Sequence, residues 1–119
     1  MRGFNKVELK NVRKAIFDNA QCDNKYAMAT GIFEYSKLTK TLVGLDHDKV
    51  DREIVILTNY LDEIGTGLLT DKLSPHYAYM LFDSRVNDFI ATTLKPWVQK
   101  TYGNSTVDDM FAIHPIGKS

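Results

Sequence analysis

Apolar positions fall at helical spacing along most of the chain. The clearest run is Val50, Ile54, Leu57, Leu61, Ile64 and Leu68, separated by 4, 3, 4, 3 and 4 residues. That spacing sets six apolar side chains on one face of a helix. Val55 and Ile56 lie off the stripe, and Ile56 points almost opposite to it. A helix apolar on two sides near its middle is expected to lie centrally, packed between two neighbours.

The remaining elements follow from their stop and start signals. Asn5 caps a first helix, Glu8 completes a capping box, and Phe4 staples onto Leu9. Leu9, Val12 and Ile16 form its stripe, with Phe17 beside it. The polar run Gln21-Cys22-Asp23-Asn24 breaks the pattern, and Asp23 or Asn24 caps a second helix bearing Met28, Ile32, Tyr35, Leu38 and Leu42. Ala27 and Gly31, four apart, allow a close helix approach, although a glycine inside a helix costs about 1 kcal/mol against alanine. Gly44 marks the end of this helix. Asp46 caps the third, Leu45 staples onto Val50, and Asp48 and Asp51 lie at its positive end. Gly65 and Gly67 predict that the third helix ends or bends there.

Leu68, Leu69 and Leu73 cover a joint before Ser74-Pro75, a serine cap with proline in the first turn. The run Tyr77-Ala78-Tyr79-Met80-Leu81-Phe82 fits a strand by itself, but the stripe continues through Val86, Phe89, Ile90 and Trp97, which decides for helix. Its first two turns are apolar all round, so they are expected to be deeply buried or part of an interface. Pro96 predicts a kink or break at Lys95. Tyr102-Gly103-Asn104 ends the element, Ser105 with Asp108 starts a short helix carrying Met110 and Phe111, and residues from Ile113 onward read as an extended tail. The prediction is an all-α fold: one domain over 1–119, a compact bundle of four main helices at about 6–20, 24–43, 47–65 and 75–101, with a short C-terminal helix at 106–112 and the tail.

Composition narrows the class. The chain is 44% hydrophobic and 25% charged, which is ordinary for a globular domain and outside the disordered range. No apolar run approaches the roughly 20 residues that span a bilayer. The start of the chain lacks the features of a signal peptide, and the single Cys22 forms no internal disulfide. The expected location is therefore cytoplasmic. The net charge is zero but divided: residues 1–44 hold eight basic and four acidic side chains, and residues 45–95 hold five basic and nine acidic. Such a division matches helices that complement one another, or a basic first half that faces an acidic partner.

Asp46-His47-Asp48 contains metal-ligand residue types, but consecutive helical residues point about 100° apart and do not converge on a metal. His76 and His114 are the other histidines, and neither precedes an acidic residue. There is no Glu-x-x-His motif for a di-metal bundle. The four glutamates, Glu8, Glu34, Glu53 and Glu63, are too scattered for a helical pyrophosphatase site. Gly65-Thr66-Gly67 lacks the lysine and preceding strand of a phosphate loop. No cofactor or metal is predicted. The aromatics of the fourth helix read as core rather than as a base-stacking surface. An acidic third helix after a short turn argues against a DNA-reading helix-turn-helix.

By elimination, the sequence predicts a small soluble protein-binding or regulatory module that acts by surface recognition. Inhibitor-like and accessory proteins of phages and mobile elements belong to this class. The partner-binding residues are Tyr77, Met80 and Leu81, off the main stripe of the fourth helix, as a protein-interaction site or a homodimer seam. Two alternatives stand beside it. Lys6, Lys10, Arg13 and Lys14 form a basic face on the first helix that suits nucleic acid or an acidic partner. A small enzyme could instead assemble its site from His47, His76 and Cys22.

Overall fold

The computed structural model describes residues 6–41 and 48–102, and all of its elements are helical. They are α1 (Lys6–Gln21), α2 (Lys25–Lys40), α3 (Asp48–Leu69), α4 (Pro75–Phe89), a π-helical turn (Ile90–Leu94) and α5 (Lys95–Tyr102), which continues α4. Asn5, the pair Phe4 and Leu9 as a staple, Leu42, Gly44 to Asp46, the short helix at 106–112 and the tail lie outside the described residues or depend on residues that do.

The two described interhelical turns each have a local explanation. At the end of α1, Asp23 takes a left-handed conformation (φ 54°), and the Asn24 and Asp23 amides donate to the carbonyls of Asn19 and Ala20. That closes the last turn and satisfies two orphan carbonyls. Asn24 then caps α2 by accepting from the Ala27 amide. α3 ends in the same way: Asp71 is left-handed (φ 60°), and the Lys72 and Asp71 amides reach the carbonyls of Gly67 and Leu68. Ser74 caps α4 through the Tyr77 amide, with Pro75 in the first turn. Lys25 pairs with Asp71, which ties the two turns together at one end of the bundle.

α2 packs on α1 and α3, α3 packs on α4, and α4 closes the bundle against α1. All six residues of the α3 stripe are buried, as are Leu9 and Ile16 of α1 and Met28, Ile32 and Tyr35 of α2. Burial of each large apolar side chain contributes roughly 1.5–3 kcal/mol. α3 does have two helical neighbours, but both meet the stripe side. Val55 and Ile56 are 50% and 52% exposed, so the second apolar side of α3 faces solvent rather than a third helix.

The glycines of α3 do not end it, and the helix runs on to Leu69. Gly65 and Gly67 are buried, and they make room for side chains. A Cβ on Gly65 would stand 2.6 Å from the Phe33 ring, and one on Gly67 would stand 2.7 Å from Leu73. Gly31 allows α1 and α2 to close in the same manner, against Ile16. The break predicted near Pro96 takes the form of the π-turn. The Lys95 amide reaches back to the Ile90 carbonyl, which widens the helix one turn before a residue that has no amide proton to donate. Among the described residues no helix is long and apolar enough to cross a membrane.

Candidate functional site

α4 is the element on which the functional candidates converge, and its two faces differ sharply. Ala78, Tyr79, Phe82, Asp83, Val86 and Phe89 turn inward and are buried. Tyr77 and Met80 are 52% and 43% exposed, and Leu81 is half-buried against the core. The first two turns are therefore not buried all round. Their apolar surplus faces out.

Leu81 leads from this outer face into the groove between α3 and α4. A cavity of 220 Å³ there is lined by Tyr60, Leu81, Ser84, Arg85 and Asp88. The Arg85 guanidinium lies over the Tyr60 ring, 4.3 Å from its centroid, a cation–π contact that covers the middle of the groove. Further along, a smaller cavity of 80 Å³ is bordered by Glu53, Ile56, Leu57, Arg85, Asp88 and Phe89. Neither Glu53 nor Asp88 forms an ion pair among the described residues. The groove thus combines apolar walls with two unpaired carboxylates. Ile56 and Tyr60 belong to it, and neither is among the partner-binding residues that the sequence predicts. The available signal was Ile56 itself, an apolar residue on the polar side of its helix.

The inner face of α4 holds a polar cluster that the sequence reading also missed. Arg13 is corrected here: it does not belong to a basic face of α1, because it is 1% exposed and points into the bundle. Its Nη2 donates to Asp83 Oδ1 at 2.7 Å and to Asn87 Oδ1 at 2.6 Å. Tyr79 donates its hydroxyl to Asp83 Oδ1 at 3.3 Å, and Asn87 Nδ2 donates to Asp83 Oδ2 at 3.2 Å. The carboxylate, 0% exposed, therefore receives three donors. Phe17 meets the Tyr79 ring edge-on at 5.4 Å, and Tyr35 meets Phe82 edge-on at 5.3 Å, so aromatic rings wall the cluster in. Burial pushes the Tyr35 hydroxyl up to about 12; Arg13 opposes the shift and Asp83 adds to it. Burial raises Tyr79 as well, with the Asp83 charge adding to it. Arg13 and Asp83 are buried and Asn87 is half-buried beside them, so the cluster ties α1 to α4.

A register signal for the pair was present. Leu9, Arg13, Ile16 and Ala20 are spaced 4, 3 and 4, and Tyr79, Asp83, Val86 and Ile90 are spaced 4, 3 and 4. Each helix places one charge of opposite sign within an apolar stripe.

Compared with protein-family models, with curated proteins and with solved structures, the chain shows no significant match.

The other candidate residues separate. Lys10 and Lys14 are exposed, and Lys14 pairs with Asp18 on its own helix at 3.1 Å. Lys6 opens α1, but its side chain lies outside the described residues. With Arg13 internal, the basic face is reduced. His47 also lies outside the described residues. Cys22 and His76 are both exposed and both sit at the end of the bundle tied by Lys25 and Asp71, with no hydrogen bond between them. Among the described residues no group of three or more His, Cys, Asp or Glu side chains could hold a metal.

Proposed function

We propose that the protein is a binding module that recognises another protein through the outer face of α4 and the adjoining α3–α4 groove. The observation that carries this reading is the half exposure of Tyr77 and Met80 on a helix whose inner face is fully packed. Aromatic and methionine side chains are enriched where proteins meet, because they bury large areas. Leu81 and Ile56 extend the apolar surface on either side of the groove, and Glu53 and Asp88 sit unpaired at its far end. The chemistry that fits is a segment with an apolar row flanked by lysine or arginine. Such binding would serve a regulatory role.

The test is capture of partners by the native chain and by a Tyr77→Ala/Met80→Glu variant, with and without nuclease. A stoichiometric protein that is retained by the native chain after nuclease and lost from the variant supports the reading. Equal recovery by a correctly folded variant sinks it. Recovery that disappears with nuclease would turn the assignment to Lys10 and Lys14. Sedimentation across a concentration range distinguishes a second copy of the chain from a different partner.

A further inference from the structure

The outward row of α4 changes character along its length. Tyr77, Leu81, Ser84 and Asp88 are spaced 4, 3 and 4, which aligns them on one side of the helix. None of the four is buried, and the row passes from apolar at the start of α4 to acidic near its end. Tyr77 and Asp88 are 11 residues apart, about 16 Å along the helix axis.

α3 forms the facing wall and carries the same polarity. Glu53, Ile56 and Tyr60 are spaced 3 and 4, and all three border the groove. Glu53 shares the 80 Å³ cavity with Asp88, whereas Tyr60 shares the 220 Å³ cavity with Leu81. Each helix therefore brings a carboxylate to one end of the groove and a large apolar surface to the other. Among the described residues, Arg85 is the one basic side chain that borders either cavity, yet it pairs with neither Glu53 nor Asp88. Its guanidinium lies on the Tyr60 ring instead. Even with Arg85 counted, the smaller cavity holds one more formal negative charge than positive.

A groove between two helices accepts the ridge of a third. We infer, on the reading of this face as a protein-binding surface, that its occupant is an amphipathic helix of matching polarity. Apolar side chains at one end of that helix cover Tyr77 and Leu81, and a lysine or arginine at the other end enters between Glu53 and Asp88. The basic residue stands roughly 7–11 positions from the apolar ones, as Asp88 does from Leu81 and Tyr77. The charges set the direction of docking more than its strength.

A displayed library of helix-forming peptides about four turns long, selected on the full chain, tests the inference. Enriched peptides should carry the apolar residues and the basic one at that separation. A selected peptide should bind the Glu53→Gln/Asp88→Asn chain about three- to tenfold more weakly than the native chain. Glutamine in place of the peptide's basic residue should cost as much on the native chain and nothing further on the variant. Neither carboxylate belongs to the core, and an unchanged unfolding midpoint confirms that the variant is folded.

Peptides that lose binding on the Tyr77→Ala/Met80→Glu chain but show no basic preference would overturn this inference and leave the face reading standing. An equal loss from the glutamine peptide on both chains would do the same. Binding that survives Tyr77→Ala/Met80→Glu would overturn both. Failure to enrich any peptide would overturn this inference alone, because partner capture judges the face separately. Concentration-dependent dimers that a selected peptide dissociates would assign the groove to a second copy and overturn it as well.

Discussion

The two faces of α4 invert the usual arrangement. Inside, Asp83 is a fully buried carboxylate; outside, Tyr77 and Met80 leave large apolar surfaces in water. The inner face tolerates a charge because Arg13, Tyr79 and Asn87 all donate to it. A buried ion pair is weak evidence for stability, but it binds one particular helix pairing, since any other register strands two charges. Among the described residues, nothing imposes such a constraint on the outer face. Residues that do not serve the core there remain open to a partner, which is why the functional proposal rests on that side.

The largest way to break this contrast is to strip the inner face. Asp83→Ala leaves the Arg13 guanidinium buried without its carboxylate and should cost about 3–5 kcal/mol in urea unfolding. Arg13→Met combined with Asp83→Leu removes both charges and should recover most of that loss. If the double variant were as unstable as the single one, shape rather than charge pairing would govern the α1–α4 contact.

Alkaline pH probes the same interior without mutation. Tyr35 ionises near 12 in the folded chain, above the ordinary value of 10, and Tyr79 is raised in the same direction. The unfolded chain therefore loses these protons first. Their contribution is fully present below about pH 10 and is lost as pH climbs towards 12, on the order of 2–3 kcal/mol from Tyr35. Chemical denaturation at stepped pH should show the fall, accompanied by late tyrosine titration in the ultraviolet. A flat profile from pH 9 to 12 would contradict the buried cluster.

Smaller effects locate the packing devices. Gly65→Ala sets a methyl against the Phe33 ring and should destabilise by about 1–3 kcal/mol. Ser74→Ala removes the α4 cap and should cost about 1 kcal/mol. Tyr77→Ala and Met80→Glu, on the outer face, should each change stability by no more than about 0.5 kcal/mol. The contrast between the faces sharpens if that order holds in one set of unfolding curves.

Much of this architecture could be read from spacing and punctuation. The α3 stripe, the Asn24 and Ser74 caps and the disturbance before Pro96 follow from local rules that act within one or two helical turns. The departures have a shared cause. By local rules Gly65 and Gly67 are weak points in a helix, but their role depends on Phe33 from another helix and on Leu73 beyond the helix end. By residue type Arg13 is a surface charge, but its spacing from Leu9, Ile16 and Ala20 places it in the stripe. Its acceptor lies 70 residues away, and no local rule supplies it. On α4, residue spacing separated Tyr77 and Met80 from the core. The groove they adjoin came from the juxtaposition of α3 and α4, which the pattern of either helix alone does not contain.

The central claim is that the inner face of α4 maintains the fold while its outer face engages a partner. Side-by-side capture with the native chain and the Tyr77→Ala/Met80→Glu variant, each checked by its unfolding curve, addresses both halves at once. The account predicts an unchanged unfolding midpoint and loss of a stoichiometric, nuclease-resistant partner. Undiminished capture with an intact fold would contradict it.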